Sequence, residues 1–283
     1  MKYSVTTVLL PEYDLEETAE LLSRLGYDGV EWRVRRIPEG QRGQPYSPWG
    51  NVKNDLPPER FAAEGERLRR VCADYGLAIA GIASNAACTD LDDVRLLAEG
   101  CAACGASFFR LGAPTGYNRT RPYPELLQEA VDAFGAALEI TRGYGVKPVV
   151  EIHMGTLTVS ASQAYLLVRH FDPEQIGVIY DLNNMTLEGF ETYRMGLELL
   201  GPYVAHVHLG NHAPRPGEVK PDGTQTWVWE GTPLAKGLTN VPQALADLKA
   251  VGYDGFISLE DFRPVPAEEK LRDAITYLRR VEP

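Results

Sequence analysis

The sequence predicts a single α/β domain over residues 1–283, folded as a (β/α)8 TIM barrel, and three observations carry that expectation. First, seven stretches run from a helix-like segment into a short β-rich one: "LSRLGYDGVEW", "CADYGLAIAGIAS", "CAACGASFFRLG", "TRGYGVKPVVEIH", "VRHFDPEQIGVIYD", "ELLGPYVAHVHLG" and "KAVGYDGFISLED". Second, six of these place a glycine just past the helix, at Gly26, Gly76, Gly105, Gly145, Gly201 and Gly252. A glycine there takes the left-handed conformation that ends a helix without a Cβ clash, and the seventh stretch stops at Asp172-Pro173 instead. Third, the opening "YSVTTV" supplies an eighth strand, and 283 residues is a usual length for eight βα units in one domain. A doubly wound sheet is the competing architecture.

Taken in order, Tyr3–Val8 reads as the first strand. Its apolar run is too short for a signal h-region, lacks a small-residue cleavage site and meets Pro11 at once, so a cytoplasmic protein is expected. Asp14 and Glu17 carry capping-box spacing ahead of the first helix. The second strand ends at Glu31, and residues 35–57 form a connection longer than a barrel needs before Pro57-Pro58 opens the next helix. Strands three and four, "AIAGIAS" and "SFFRLG", flank a helix holding Cys101-x-x-Cys104. With no second pair or nearby histidine, that motif reads as small apolar residues on a buried helix face rather than a zinc or redox site. Strands five, six and seven end "VVEIH", "VIYD" and "AHVHL". Residues 211–238 are the second long connection, and Asn240 before Pro242 starts the helix that precedes the last strand, "FISLED". The strands are apolar on successive residues, as expected when both faces are covered. Both long connections leave C-terminal strand ends, the face on which barrels carry their active sites.

Composition narrows the function. The chain is 44% hydrophobic and 24% charged, which are globular values, and nothing in it approaches the roughly 20 apolar residues that span a bilayer. A formal charge of -11 and a pI near 5.0 argue against a phosphate-backbone surface, so neither nucleic acid nor membrane is an expected partner. Four cysteines, Cys72, Cys88, Cys101 and Cys104, are too few for a disulfide scaffold. An acidic pocket holding a cation fits this composition.

The strand ends supply such a pocket. Glu151 and His153, Asp181, His206 and His208, and Glu260 and Asp261 close four consecutive strands, which a barrel places side by side on one rim. Because alternate residues face the interior, Glu151 shares a parity with His153, and His206 with His208. Three carboxylates and an imidazole converging on one point repel unless a cation compensates them, and that donor mixture suits Mn²⁺, Mg²⁺, Co²⁺ or Zn²⁺. Glu151, Asp181, His208 and Glu260 are therefore the expected ligands of one divalent metal ion. His206, two residues before the strand end, is expected a layer deeper, and His170 is read as a helix C-terminal charge.

The motifs "VVEIH", "VIYDLNNM", "HVHLGNH" and "GYDGFISLEDF" resemble the xylose-isomerase-like barrel superfamily, and within it the sugar phosphate isomerase/epimerase branch, across essentially the whole chain. The resemblance implies that the acids at Glu151 and Glu260 both bind the metal and exchange protons with substrate, and it supports His208 over His206 as the ligand. It implies a small-molecule sugar or polyol substrate that chelates the metal through a carbonyl and a neighbouring hydroxyl, so that one glutamate removes the intervening proton to give an enediolate. Two glutamates on opposite sides would epimerise; one alone would isomerise, or dehydrate where a β-hydroxyl leaves. The sequence departs from the branch where a histidine commonly follows the metal aspartate by three residues. Asn184 stands there and can hydrogen-bond substrate but not transfer a proton.

Arg215 is the counterpart of the branch's substrate-orienting arginine, although the prolines around it disturb the register. Further substrate contacts are expected from His153, from Glu31 and Arg33 at the pocket mouth across the barrel, and from Arg110, which would take a phosphate or carboxylate or else form a structural ion pair. Trp227 and Trp229 would form an apolar lid or pack on the rim, while Lys220 and Lys236 read as solvated charges. The branch often forms dimers or tetramers, which implies a homo-oligomer, but no stretch of the sequence marks an interface. A metal-dependent isomerase or epimerase is the function expected, with a dehydratase of a cyclic polyol ketone as the alternative. An apurinic-site endonuclease would need more ligands than five histidines readily supply, and a basic surface that the charge denies. A sugar-binding protein without turnover is disfavoured by the paired glutamates.

Overall fold

In the computed structural model, which describes residues 1–283, eight parallel strands alternate with helices and close into a barrel. The strands in chain order are β1 (Lys2–Thr6), β2 (Gly29–Val34), β3 (Ala78–Ser84), β4 (Phe108–Arg110), β5 (Lys147–Glu151), β6 (Gly177–Asp181), β7 (Val204–Leu209), β8 (His212–Val219), β9 (Gln225–Gly231) and β10 (Phe256–Leu259). The barrel runs β1-β10-β7-β6-β5-β4-β3-β2, and β2 pairs back onto β1. The helices are α1 (Leu15–Leu25), α2 (Pro58–Asp74), α3 (Leu91–Cys104), α4 (Tyr123–Thr141), α5 (Ala161–Val168), α6 (Leu182–Leu187), α7 (Tyr193–Leu200), α8 (Val241–Ala250) and α9 (Ala267–Val281).

Local sequence sets the element ends. Asp14 accepts from the Glu17 amide at 2.9 Å while the Glu17 carboxylate accepts from the Asp14 amide at 2.8 Å, a complete capping box for α1. Gly26 and Gly105 end α1 and α3 at φ 86° and 81°, angles that a Cβ would strain. Asn240 caps α8 through the Gln243 amide.

Strand alternation separates two kinds of interior. Tyr3, Val5, Val30, Trp32, Val207, Leu209, Ile257 and Leu259 point outward into the 64-residue core between barrel and helices. Of the inward set, Phe108, Val149 and Ile179 form a small separate apolar cluster. Ser4, Glu31, Asp181, His206, His208 and Ser258 are also fully or almost fully buried, so the rest of the barrel lumen is polar. Polar groups buried in this way need partners, and a functional site is the usual reason for keeping them.

Two connections differ from expectation. Residues 211–238 are not an irregular loop: β8 and β9 pair antiparallel as a hairpin separate from the barrel. Asp181 is followed at once by the short helix α6, which leaves α7 to pack in the outer layer. Residues 35–57 carry one 3-10 turn and are pinned from below. Arg33 and Arg35, both buried, share Asp55 at 2.7 and 2.5 Å and donate to the carbonyls of Pro48, Trp49 and Gly50.

Candidate metal centre

The inward parity of β5, β6 and β7 and the residue just beyond β10 bring Glu151, Asp181, His208 and Glu260 together. One ligand-capable atom from each lies within 4.8 Å of every other. His208 is the hub. Its Nδ1 sits 2.9 Å from Glu151 Oε1, 3.5 Å from Glu260 Oε1 and 3.6 Å from Asp181 Oδ2. Its Nε2 faces the other way, 3.1 and 3.2 Å from the two oxygens of Glu31. Asp181 also caps α6, accepting the Asn184 amide at 2.7 Å and the Asn184 side-chain amide at 2.5 Å.

The electrostatics are those of crowded acids. Burial resists a charge on His208, but Glu31 and Glu260, with the bonds to Asp181 and Glu151, outweigh it and hold the imidazole well above its ordinary range. Burial also raises Glu260, and repulsion from Asp181, Glu151 and Glu31 adds to it against the pull of His208. Glu151 goes the other way: burial is overcome by Arg110, whose Nη1 reaches Oε2 at 2.5 Å, and by His208, so its carboxyl is lowered. Glu31 is likewise held well below the carboxylate range, because His208 and His206 overcome its burial. Of the three converging carboxylates only Glu151 has a guanidinium partner, and the cluster relieves the remaining repulsion by holding protons on His208 and Glu260, which a cation would replace beside the same nitrogen donor. Oxygen donors with one imidazole fit a divalent cation such as Mn²⁺, Mg²⁺, Co²⁺ or Zn²⁺.

The other residues named from sequence scatter. Glu31 does not reach the pocket mouth; it is 0% exposed, beneath His208 and 3.5 Å from His206 Nε2. Both ring nitrogens of His206 are buried without a hydrogen-bond partner, and its ring lies against Phe108 and His208. Asn184 is turned onto Asp181 rather than outward. Arg110 makes the structural ion pair with Glu151 and also bonds Asn85. Together with Glu151, His153, Thr156 and Thr158 these two line a cavity of about 190 Å³ on the Glu151 side of the four-residue cluster. Arg215 lies on β8, exposed and ion-paired to Glu230 across the hairpin, not at the cluster. Trp227 and Trp229 are 59% and 39% exposed on β9, so they do not pack down on the rim.

Sequence reading missed three features. Trp49, on the pinned loop, stacks 5.2 Å from Phe262, two residues beyond Glu260, and joins the β2 and β10 sides of the rim. His212 is half-buried with Nδ1 2.6 Å from Asn183 Oδ1, close enough to Asp181 and Asp261 to feel both charges. Asn85 is the third. The spacing of His212, four residues past His208, was a visible signal; Trp49 and Asn85 had none.

The fold and the site define the class: a closed parallel barrel with a four-residue carboxylate and imidazole cluster at its C-terminal rim that could hold a metal ion. The chain belongs to the xylose isomerase-like TIM barrel family, whose pattern it matches over residues 19–281. It is 26% identical over 162 residues to an inosose isomerase of Halalkalibacterium halodurans, covering 53% of each chain. The chain spans about half the length of the curated relatives it matches, 46% and 53%. Among solved structures it resembles the 3-keto-D-glucoside 4-epimerase YcjR from E. coli, at 14% identity, 99% coverage of both chains and a TM-score of 0.73. It also resembles the IOLI protein with a bound zinc atom, at 19% identity, covering 99% and 98%, with a TM-score of 0.72.

Proposed function

We propose that this chain is a divalent-metal-dependent isomerase or epimerase of a small polyhydroxylated ketone or sugar, phosphorylated or not. The observation that carries the reading is the convergence of Glu151 and Glu260 on one point with Asp181 and His208. Glu151, Asp181, His208 and Glu260 would hold the ion. Bound there, a divalent cation would supply the Lewis acidity that polarises a carbonyl and acidifies the neighbouring C–H. The chain's own groups then divide the work. Glu260, whose carboxylate has no partner nearer than the 3.5 Å contact to His208 and is raised, removes the proton. Glu151, tied to Arg110 and lowered, is the weaker base: in an epimerisation it delivers a proton to the opposite face while Glu260 keeps the one it removed, and in an isomerisation it acts as ligand alone while Glu260 returns that proton. The Arg110, Asn85 and His153 cavity, placed next to Glu151, positions substrate hydroxyls or an anionic substituent.

That asymmetry keeps a dehydratase of a cyclic polyol ketone as the second reading, since one effective base suffices when a β-hydroxyl leaves. The relatives support the class: an inosose isomerase and a 3-keto-D-glucoside epimerase both act on polyhydroxylated ketones by name. The test is incubation of metal-reconstituted protein with ketoses, inososes and their phosphates in deuterated water. Deuterium at a carbon next to the carbonyl, lost in Glu260→Gln, is the expected result. No exchange with any of these compounds, from protein shown to bind metal, would sink it.

A further inference from the structure

Resting on the metal-centre reading, we propose that Glu31 is a positioning residue, fixing His208 as a ligand through Nδ1. Glu31 is 0% exposed, so substrate does not reach it. Its two oxygens lie 3.1 and 3.2 Å from His208 Nε2, on the side of the ring opposite the three acids. A carboxylate accepts and does not donate, so Nε2 keeps its proton toward Glu31, and the proton that a cation would displace is the one Nδ1 shares with Glu151 Oε1 at 2.9 Å, which frees the Nδ1 lone pair among Glu151, Asp181 and Glu260. A half-turn of the ring about Cβ–Cγ would present carbon to both partners, losing the bond to Glu31 and the nitrogen ligand together.

The neighbours of Glu31 hold it in this role. It sits on β2 between Thr6 of β1 and Gly81 of β3, at a shift in the β2 to β3 register. His206 Nε2 is 3.5 Å from the same carboxylate, and the His206 and His208 rings stand edge to face at 5.3 Å. The carboxylate is thus wedged between two imidazoles of one strand. Glu31, His206 and His208 also satisfy the spacing of a second, deeper cation group. Such an ion would need the Nε2 lone pair of His208, which the Nε2–H bond to Glu31 uses.

The experiment is zinc binding by calorimetry, with nitrogen-15 histidine spectra of the zinc-loaded protein, for wild type, Glu31→Gln and Glu31→Leu. One zinc per wild-type chain is expected, with zinc on Nδ1 of His208 and a slowly exchanging proton on Nε2. Glu31→Leu should lose about 10–100-fold in affinity together with that proton signal, and Glu31→Gln, which keeps an acceptor oxygen, should recover most of both. Zinc on Nε2 of His208 in the wild type overturns the proposal whether or not the variants fold. So does unchanged affinity in Glu31→Leu, or two zinc ions per wild-type chain. Failure of the metal-centre reading itself shows differently, as wild-type protein that takes up no zinc, and overturns both.

Discussion

His208 faces three acids through one nitrogen and a fourth through the other, and this decides how the site responds to pH. In the metal-free chain His208 and Glu260 both hold protons more tightly than usual. A cation must displace those protons, so affinity rises with pH through the neutral range and falls on acidification. Calorimetry in buffers of different ionisation enthalpy should show proton release on binding; a pH-independent affinity without release would contradict this. Which residues share the cluster was legible in the sequence, because parity and strand ends are set by a period of two. Depth was not. The second strand was expected to end at Glu31 as the last ends at Glu260, but β2 runs on to Val34, so Glu31 lies mid-strand while Glu260 lies just beyond β10; register shifts at Val30/Glu31 and between β6 and β7 further decide which inward groups meet, and no local pattern encodes them. Asn184 misled for a related reason: Asp181 caps a helix too short to show periodicity, and the cap turns Asn184 inward.

At the level of elements, the rim is built by anchored connections. Asp55 bridges two buried arginines and, through them, fixes the carbonyls of residues 48–50 that carry Trp49. Asp55→Ala strands two buried guanidiniums and should cost about 3–5 kcal/mol in urea unfolding. A loss below 1 kcal/mol would mean that the loop is held by other contacts. In the outer layer α2 and α3 meet through small residues: a Cβ at Gly100 would lie 2.0 Å from the Phe61 ring. Gly100→Ala should therefore destabilise by about 1–3 kcal/mol despite the better helix propensity of alanine. A stabilised variant would refute that close packing. The helices and their caps were readable because Asp14, Asn240 and the glycine stops act within a turn of chain. The hairpin was not, since Pro214, Pro216 and Gly217 break the alternation of β8; prolines are tolerated there because a two-stranded sheet consists of edges.

For the whole molecule, repetition made the fold legible. Seven of the eight helix-bearing units carry their own stop signal, so the repeat declares eight βα units without long-range information, and the structure closes them into one barrel. The barrel then gathers side chains from β5, β6, β7 and the end of β10 that lie far apart in sequence, and places the crowded acids at its C-terminal rim. The central claim is that these four groups are one divalent-metal site. Its most direct test is the metal content of purified wild type, Asp181→Ala and His208→Ala, each reconstituted with Mn²⁺ or Zn²⁺ and desalted. The account predicts one ion per wild-type chain and a stoichiometry near zero in both variants, with folding retained by circular dichroism. A wild-type chain without metal, or variants that bind as well as wild type, would contradict it.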